Sequence, residues 1–292
     1  MSDLRVMAPA KINWTLEVLG PRRDGFHEVR TVLQTIDLCD EVRLAPAEAL
    51  SLSVEGPHEA REDDLALRAA ALLAEAAGRA PSASIRLAKR IPAAAGLGGG
   101  SSDAAAVLRG LDRLWGPGLG HERLAELAAT LGSDVPFFVY GGTALAEGRG
   151  ERVTPLPDVP PVWLIVLVPP FTLPEKTRRL YQALTAADFS DGARTAALAR
   201  RIEAGEAIDG ECLHNAFEPA AFATFPELGA YRDALLAAGA RRVRVAGSGP
   251  ALFVVAPTEA EARALHERLR APGGVAFAAR TLTAAEAVAV EE

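Results

Sequence analysis

Residues 91–108 read IPAAAGLGGGSSDAAAVL, which places four glycines within five residues directly before a run of helix-forming residues. Because glycine has no Cβ, a ligand can closely approach the backbone N–H groups of such a loop. The first turn of the following helix adds N–H donors without helical partners and a partial positive charge. This combination is typical of phosphate sites, and a flexible linker or a tight strand-to-helix turn is the structural alternative.

The letters of this stretch exclude two common phosphate loops. No lysine follows the glycines, as the pattern G-x-x-x-x-G-K-[ST] requires. Counted from Gly96, the sixth residue is Ser101 instead of glycine, which excludes the dinucleotide pattern G-x-G-x-x-G. The pattern that remains is P-x-x-x-G-L-G-G-G-S-S-D-A-A-A, from Pro92 to Ala106.

The composition indicates a globular protein of about two domains, because 292 residues that are 49% hydrophobic can bury a large core. The net charge is −7 and no run of Lys or Arg exceeds two residues, so we expect no nucleic-acid partner. The longest strongly apolar run, 162–168, is too short to span a bilayer, and the N-terminus lacks a signal-peptide core. Cys39 and Cys212 lie far apart, without metal-site spacing. We therefore expect a cytoplasmic protein with no membrane partner.

The hydrophobic periodicity predicts a mixed chain. In the first half it predicts strands at 4–20, 31–47, 50–56 and 83–91 and helices at 63–78, 102–115 and 121–132. In the second half it predicts a strand at 162–170, helices at 174–184, 191–205 and 225–239, a hairpin at 241–257, a helix at 258–271 and a strand at 274–283. The second half therefore suits helices packed on an antiparallel sheet. The Pro-rich segment 153–161 is predicted to be the linker between domains 1–155 and 156–292.

Three segments resemble the signature motifs of the GHMP kinases, the superfamily of galactokinase, homoserine kinase, mevalonate kinase and phosphomevalonate kinase. The glycine-rich stretch resembles the second motif, APAKINWTLEVLG at 8–20 the first, and VRVAGSGPALF at 243–253 the third. This resemblance implies a two-domain α+β fold. The N-terminal α/β domain would be like a ribosomal protein domain, and the C-terminal α+β domain would be ferredoxin-like.

Within that superfamily, four segments closely resemble the family of 4-diphosphocytidyl-2-C-methyl-D-erythritol kinases. They are AKIN, GPRRDGFHEVRTVLQTIDLCDEV, LGSDVPFFVYGGTALAEGRGE and KTRRLY, and the resemblance extends over about residues 5 to 256. It implies ATP-dependent phosphorylation of the 2-hydroxyl of that small-molecule substrate, a step of the non-mevalonate isoprenoid pathway. ATP and Mg²⁺ are the implied cofactors, and the enzyme is expected to be a monomer or a homodimer.

The resemblance identifies Asp134 as the catalytic aspartate and Lys11 as the catalytic lysine. An aspartate within reach of the hydroxyl can accept its proton, and the ammonium can keep that aspartate ionised. From the sequence pattern alone, Asp134 before Val135-Pro136 is favoured as a helix N-cap, and Lys11 as a solvated strand residue. Lysine is scarce in this chain, since the remaining basic residues apart from Lys89 and Lys176 are arginines. A retained lysine slightly favours a site that needs a compact ammonium.

The resemblance also assigns the ATP site to the glycine-rich loop, with Ser101 or Ser102 near the β- and γ-phosphates or Mg²⁺. No direct protein cage for the metal is expected, and Ser102 is the candidate contact. The predicted ATP-binding residues are Pro92, Ala93, Ala94, Ala95, Gly96, Leu97, Gly98, Gly99, Gly100, Ser101 and Ser102. The turn of the third motif comprises Gly247, Ser248 and Gly249.

The predicted substrate-binding residues are Asn13, Phe26, His27, Thr177 and Tyr181. Asn13 lies two residues after Lys11, on the same strand face, where its amide could orient the hydroxyl or a phosphate. His27 matches the family's cytosine-reading histidine, with Phe26 and Tyr181 on the two faces of the base; Phe26 stands where tyrosine is familiar. Taken alone, His27 is more often a surface residue and Tyr181 a core residue of a helix.

One residue departs from the family pattern. Asp64 stands where asparagine is usual, and a carboxylate can accept hydrogen bonds from adenine but cannot donate them. Either backbone groups supply the missing donor or Asp64 only starts the helix, so the adenine contacts stay open. Two other functions also stay open: a different small-molecule GHMP kinase, and a non-catalytic RNA or nucleotide binder.

Overall fold

The structure, a computed structural model, describes residues 3–56, 64–208 and 210–291. Its strands are β1 (Leu4–Pro21), β2 (His27–Pro46), β3 (Ser51–Glu55), β4 (Ala83–Ala88), β5 (Thr143–Gly148), β6 (Arg152–Leu156), β7 (Trp163–Val168), β8 (His214–Asn215), β9 (Arg244–Val245), β10 (Leu252–Ala256), β11 (Val275–Arg280) and β12 (Val290–Glu291). Its α-helices are α1 (Leu65–Ala76), α2 (Gly99–Trp115), α3 (Gly120–Leu131), α4 (Val135–Tyr140), α5 (Lys176–Ala183), α6 (Ala193–Glu203), α7 (Glu218–Thr224), α8 (Leu228–Ala237), α9 (Glu259–Arg268) and α10 (Ala284–Ala287), with a 3₁₀ turn at Ala186–Asp188.

The long hairpin of β1 and β2 is the centre of the larger sheet. Their antiparallel register runs from Leu4 opposite Leu44 to Pro21 opposite His27. The register shifts at three places, the first between Pro9 and Ala10, because proline has no N–H for the ladder. The sheet order is β12-β1-β2-β4-β3, with β5 on β2, β6 on β5 and β8 on β1.

The first four helices cover one side of this sheet. Helix α2 lies in the middle of that layer, and its buried face joins residues of β1, β2 and β4 in one hydrophobic core. Its contact with the sheet is very close at Gly110, where an added Cβ would lie 2.3 Å from Leu44 Cδ1 and 2.8 Å from Val6 Cγ2. The absence of a side chain at this position therefore sets the height of α2 above the sheet, and with it the position of the loop that precedes α2.

The second half of the chain forms the predicted antiparallel sheet, in the order β11-β7-β10-β9. One core lies between this sheet and helices that include α7, α8 and α9. Another core joins the two halves of the molecule, since it contains Ile12 and Trp14 of β1 together with Phe253 of β10. The arrangement confirms the two-part α+β fold that the sequence predicts.

Some boundaries differ from the sequence predictions. Helix α2 begins at Gly99, three residues before the predicted start at Ser102, because glycines reduce helix propensity without preventing the first turn. The predicted linker 153–161 begins inside strand β6. Strands β8 and β12 come from the second half of the chain yet pair with β1. The division into domains 1–155 and 156–292 stays a prediction.

We expect Gly110→Ala to lower the free energy of unfolding by about 1–3 kcal/mol, because the new methyl group would collide with Leu44 and Val6 in a packed core. The matched control is Gly229→Ala in α8, where an added Cβ meets no atom within 4 Å. There, alanine should be neutral or stabilising by up to about 1 kcal/mol. Urea denaturation of both variants measures the difference, and equal effects would contradict the proposed close packing.

Candidate active site

Lys11 and Asn13 lie side by side on β1, and both are buried, each with 4% of its surface exposed. The Lys11 ammonium donates to Asn13 Oδ1 at 3.0 Å, and Asn13 Nδ2 donates to Thr31 Oγ1 at 2.8 Å. Thr31 lies on the neighbouring strand β2 and donates in turn to the Thr15 carbonyl. This chain of hydrogen bonds supports a buried ammonium that would otherwise be costly to remove from water. The structure therefore excludes a solvated strand lysine at position 11.

Asp134 lies at the start of α4, and its carboxylate Oδ2 is 3.7 Å from the Lys11 ammonium. Its side chain makes no capping hydrogen bond to the helix, so the N-cap interpretation that the sequence pattern favoured is wrong. The side chain is 41% exposed, which leaves room for a reacting group beside it. The structure thus brings together the two predicted catalytic residues, from positions far apart in the sequence.

The glycine-rich loop lies between β1 and the turn of the third motif. On one side, Lys11 N donates to the Leu97 carbonyl at 2.9 Å. On the other side, a Cβ added at Gly96 would lie 2.2 Å from the Ala246 carbonyl oxygen. Only glycine permits this approach, so the loop is fixed in position between the two elements.

Two cavities meet at this loop. The larger has a volume of about 810 Å³, and the smaller about 390 Å³. The larger is lined by Val54, Asp64, Leu65, Leu87, Lys89, Ile91, Pro92, Ala93, Ala94, Ala95, Gly96, Leu97, Gly98, Gly99, Gly100, Ser101 and Asp103. It therefore contains every predicted ATP-binding residue except Ser102, and its size suits a nucleotide.

The smaller cavity contains the predicted catalytic and substrate-binding residues. Its lining includes Lys11, Asn13, Phe26, His27, Asp134, Thr177, Tyr181, Gly247 and Ser248. The two cavities share Gly96, Gly98 and Ser101 as a common wall. A group bound in the larger cavity can therefore reach the smaller one across the beginning of α2.

The structure distinguishes the two serines that the sequence left as alternatives. Ser101 lines both cavities, whereas Ser102 is fully buried and its hydroxyl has no hydrogen-bond partner among the described residues. Ser101 is thus the better placed of the two to contact phosphate or a metal ion. In the described ranges 3–56, 64–208 and 210–291, no three His, Cys, Asp or Glu side chains gather as they would around a metal. Mg²⁺ would fit here as an ion held chiefly by ATP oxygens and the Ser101 hydroxyl.

A buried charged triad below the glycine-rich loop was missed by the sequence analysis. The Lys89 ammonium contacts the carboxylate of Asp40 and, at 2.5 Å, that of Asp103. Lys89 and Asp103 both line the larger cavity. Although burial acts to lower the pKa of Lys89, the two carboxylates outweigh it and raise that pKa. Burial raises the pKa of Asp103 against the opposing charge of Lys89. The scarcity of lysine was the only sequence signal for this group.

Phe26, His27 and Tyr181 are among the residues that line the smaller cavity, and each carries an aromatic ring. The His27 and Tyr181 rings stack with centroids 4.5 Å apart and an angle of 18° between their planes. Phe26 is 52% exposed, and the Arg149 guanidinium lies 4.8 Å from the centre of its ring. His27 therefore covers one face of Tyr181, and the placement of a base between Phe26 and Tyr181 stays a prediction.

Tyr181 also connects the aromatic end of the cavity to the catalytic end. Burial, with a smaller contribution from the charge of Asp134, raises the pKa of Tyr181 to about 12. Its phenol is therefore protonated at neutral pH. Phe217 packs its edge against Tyr181, with ring centroids 4.9 Å apart, which restricts the movement of the tyrosine ring.

The turn of the third motif is anchored by side chains on both sides. Asn215 Nδ2 donates to the carbonyls of Val245 and Gly247, each at 2.8 Å. Thr177 Oγ1 lies 3.0 Å from Ser248 Oγ. The predicted substrate-binding threonine thus contacts the third motif, and Asn215 is a supporting residue that no sequence pattern indicated.

Asp64 has the role of a helix cap. Its Oδ1 accepts a hydrogen bond from Ala66 N at 2.8 Å at the beginning of α1, and the residue also lines the larger cavity. The carboxylate is thus satisfied by its own helix. The structure thus contains the predicted helix start at Asp64, and the residues that contact adenine stay open.

Comparison with known proteins places this geometry in a family. Residues 64–142 match the model of the GHMP kinases N terminal domain, and residues 193–275 match that of the GHMP kinases C terminal domain. A 4-diphosphocytidyl-2-C-methyl-D-erythritol kinase of Dehalococcoides mccartyi is 44% identical over 280 residues, covering 96% of this chain and 98% of the relative. One of Symbiobacterium thermophilum is 45% identical, covering 96% of this chain and 100% of the relative.

The chain belongs to the GHMP kinases, in the family of 4-diphosphocytidyl-2-C-methyl-D-erythritol kinases. A crystal structure of 4-(cytidine 5'-diphospho)-2C-methyl-D-erythritol kinase superposes with a TM-score of 0.80 at 41% identity, covering 95% of this chain and 98% of that one. A homoserine kinase from Cytophaga hutchinsonii superposes with a TM-score of 0.75 at 18% identity, covering 100% of this chain and 98% of that one, which shows the shared fold alone.

Family membership makes this protein a phosphotransferase that uses ATP. It also confirms the two-domain GHMP kinase fold predicted from the three motifs. None of the helices formed by the described residues combines the length and apolarity needed to cross a bilayer.

For this kinase, we expect Asp134→Asn to lower kcat by about 10²–10⁴-fold, because an amide cannot accept the proton of the hydroxyl. Stability should change by less than about 1 kcal/mol, since no capping bond is lost and the ion pair is partly exposed. Thr258→Ala in α9 is the control, because that threonine does cap its helix by accepting from Glu261 N. It should cost about 1 kcal/mol of stability and leave kcat unchanged. A wild-type kcat in Asp134→Asn would leave this carboxylate without a catalytic role.

The two ends of α2 offer a matched test of the glycine-rich loop. Gly98 at the beginning has φ +76°, and an added Cβ would lie 2.7 Å from the Phe138 ring and 3.1 Å from Lys11 Cγ. Gly116 at the end has φ +78°, with no atom within 4 Å of an added Cβ. Both alanine variants should lose about 1–2 kcal/mol of stability from the left-handed backbone, and Gly98→Ala about 1–3 kcal/mol more from its collision with Phe138. Only Gly98→Ala should also reduce kcat, by at least about tenfold, because it displaces Lys11. Steady-state kinetics and urea denaturation separate the two effects, and equal kcat values would contradict this role of the loop.

Proposed function

We propose that this kinase transfers the γ-phosphoryl group of ATP to the 2-hydroxyl of 4-diphosphocytidyl-2-C-methyl-D-erythritol, a step in the synthesis of isoprenoid precursors by the non-mevalonate pathway. The observation that carries the proposal is the smaller cavity, which has Lys11 and Asp134 at one end and His27 and Tyr181 at the other. An alcohol and an aromatic base joined in one molecule suit such a lining. The names of the relatives agree with this substrate.

The larger cavity is the proposed ATP site. Its glycine-rich loop can approach phosphate through backbone N–H groups, and the beginning of α2 favours negative charge at the shared wall. Bound there, the γ-phosphate would face Ser101 and the smaller cavity. Mg²⁺ bound to the phosphate oxygens would neutralise charge that develops during transfer.

Asp134 is the proposed general base. As the oxygen of the alcohol forms its bond to the γ-phosphorus, the hydroxyl proton passes to the Asp134 carboxylate. The bond between the γ-phosphorus and the bridging oxygen breaks, and that oxygen leaves with ADP. The partly exposed position of Asp134 beside the cavity supports this assignment, because the carboxylate is not occupied by a helix cap.

Lys11 is the proposed electrostatic partner. Its ammonium lies 3.7 Å from Asp134 Oδ2 and can stabilise the negative charge that develops on the reacting oxygens. Asn13 holds this ammonium from the other side at 3.0 Å. The amide is therefore proposed to orient the lysine, and the contact of Asn13 with the substrate stays a prediction.

The cytosine is proposed to bind at the end formed by Phe26, His27 and Tyr181. The His27 ring must first leave the face of Tyr181, and it can then offer a ring nitrogen to the Watson–Crick edge of the base. The base takes the place of the imidazole on Tyr181, so the tyrosine ring keeps an aromatic partner when the substrate is bound. Stacking of a base on an aromatic side chain contributes about 1–3 kcal/mol.

Turnover with different alcohols tests the proposal. We expect ADP release to be rapid with 4-diphosphocytidyl-2-C-methyl-D-erythritol and near background with homoserine or mevalonate. Those compounds carry no aromatic base, so Phe26, His27 and Tyr181 would contribute nothing to their binding. ADP release without any alcohol gives the background rate. A kcat/KM for homoserine or mevalonate equal to that for the cytidine compound would contradict the proposed substrate.

The preference of the enzyme for cytosine over uracil can be measured separately. Cytosine and uracil exchange a donor and an acceptor on their Watson–Crick edges, and an unpaired buried polar group costs about 1–3 kcal/mol. We therefore expect a kcat/KM about 10-fold or more lower for the uridine analogue, and His27→Ala should remove most of this preference. Tyr181→Ala should weaken both substrates alike, because stacking tolerates either base. His121→Ala, at a histidine that lines neither cavity, is the control. Equal use of both analogues by the wild-type enzyme would contradict the role of His27.

A further inference from the structure

Lys176 connects two loops that belong to different cavities. It is the first residue of α5, and its ammonium donates to the Ala94 carbonyl at 2.7 Å and also to the Gly249 carbonyl. Ala94 lines the larger cavity, in the glycine-rich loop. Gly249 belongs to the turn of the third motif, whose Gly247 and Ser248 line the smaller cavity. One half-buried ammonium thus bridges the walls of both sites.

The backbone around this bridge adopts uncommon conformations. In the part of the chain that the structure describes, Ala94 and Glu175 are the non-glycine residues with positive φ, at +51° and +48°. One provides a carbonyl to the bridge, and the other directly precedes Lys176. Such conformations persist where surrounding interactions hold them in place. Both uncommon conformations therefore lie at the Lys176 bridge, although Ala94 and Glu175 are far apart in the sequence.

The charge of Lys176 depends on its surroundings. Burial, with a smaller contribution from Lys11, lowers the pKa of Lys176 to about 8, against the opposing charge of Asp134. Below that pH the side chain is an ammonium, which forms strong, charge-assisted hydrogen bonds to the two carbonyls. Above that pH it becomes an amine, whose hydrogen bonds are weaker and which no longer attracts phosphate.

We infer that Lys176 is a positioning residue of the kinase, whose ammonium holds the glycine-rich loop against the third-motif turn in the position that ATP requires. The inference depends on the shared ATP chemistry of the family and not on the proposed alcohol substrate. The backbone contacts of Gly96 and Ala95 with the same turn set the separation of the two loops. Lys176 adds the charged contact at the outer end, next to the residues that must receive polyphosphate.

The choice of lysine agrees with this role. Lys11 and Lys89 each line one of the two cavities, and Lys176, the remaining lysine, bonds to the Ala94 and Gly249 carbonyls in loops beside them. A compact ammonium can donate to two converging carbonyls from a short distance, whereas the planar guanidinium of arginine presents its donors in a fixed fork. Arginine is the cation at all other basic positions of the sequence.

The test is a calorimetric titration with the non-hydrolysable ATP analogue AMP-PNP in the presence of Mg²⁺, without any alcohol substrate. At pH 7 we expect Lys176→Met to bind about tenfold more weakly than the wild type, and Lys176→Arg to recover only part of that loss. Arg178→Met is the matched control, because Arg178 lies on the same helix and pairs with Glu175 at the surface. It should bind like the wild type.

A repeat of the titration at pH 9 separates positioning by charge from a purely structural role. Asp103, whose pKa is raised, is present in every variant, as are Lys11 and Asp134, whose charges act on Lys176. We expect the advantage of the wild type over Lys176→Met to fall from about tenfold to less than about threefold. If Lys176→Met does not fold, Lys176→Gln provides the same comparison.

Two results would overturn the inference. One is equal AMP-PNP affinity of Lys176→Met and the wild type at pH 7. The other is a tenfold difference that persists unchanged at pH 9, which would show that the aliphatic part of Lys176 matters instead of its charge. Neither result depends on which alcohol the enzyme phosphorylates, so the inference and the proposed function can fail separately.

Discussion

The site depends on one close backbone contact, between Gly96 of the glycine-rich loop and the Ala246 carbonyl of the third motif. A Cβ at Gly96 would lie 2.2 Å from that oxygen, so no other residue permits the two segments to meet. The first segment comes from the N-terminal half of the chain and the second from the C-terminal half. Because the Leu97 carbonyl of the loop also accepts a hydrogen bond from Lys11 N on β1, this contact fixes the distance from the larger cavity to Lys11. Residues of the N-terminal half line the larger cavity, and residues of both halves line the smaller one.

A second constraint is the burial of charge. Removing an ammonium from water is costly unless polar groups surround it, and Lys11 and Lys89 meet this need in different ways. Lys11 has a neutral amide at 3.0 Å and a partly exposed carboxylate at 3.7 Å, which leaves its charge available to a reacting oxygen. Lys89 is held between two buried carboxylates, so its charge is already compensated. The first arrangement suits catalysis, and the second suits support of the loop above it.

The sequence predicted those parts of the site that depend on local backbone requirements. The glycine-rich loop, the helix after it and the third-motif turn need particular residues at adjacent positions, so their patterns are recognisable. The Lys89 triad, the Lys176 bridge and the pairing of β8 and β12 with β1 arise from side chains and strands distant in sequence. No local pattern encodes such contacts. The stacking of His27 on Tyr181 was missed for the same reason, although both residues were predicted to lie in the substrate site.

The sequence pattern alone favoured Asp134 as a helix N-cap, but its side chain makes no capping hydrogen bond. The residue that follows Val135 explains why. A capping side chain bonds to the N–H of the second or third helical residue. In α4 the second residue is Pro136, which has no N–H, so one of the two possible partners is absent. The carboxylate instead lies beside Lys11, with Oδ2 3.7 Å from the buried ammonium. The proline that made the segment resemble a helix start thus also leaves the aspartate free to face the smaller cavity.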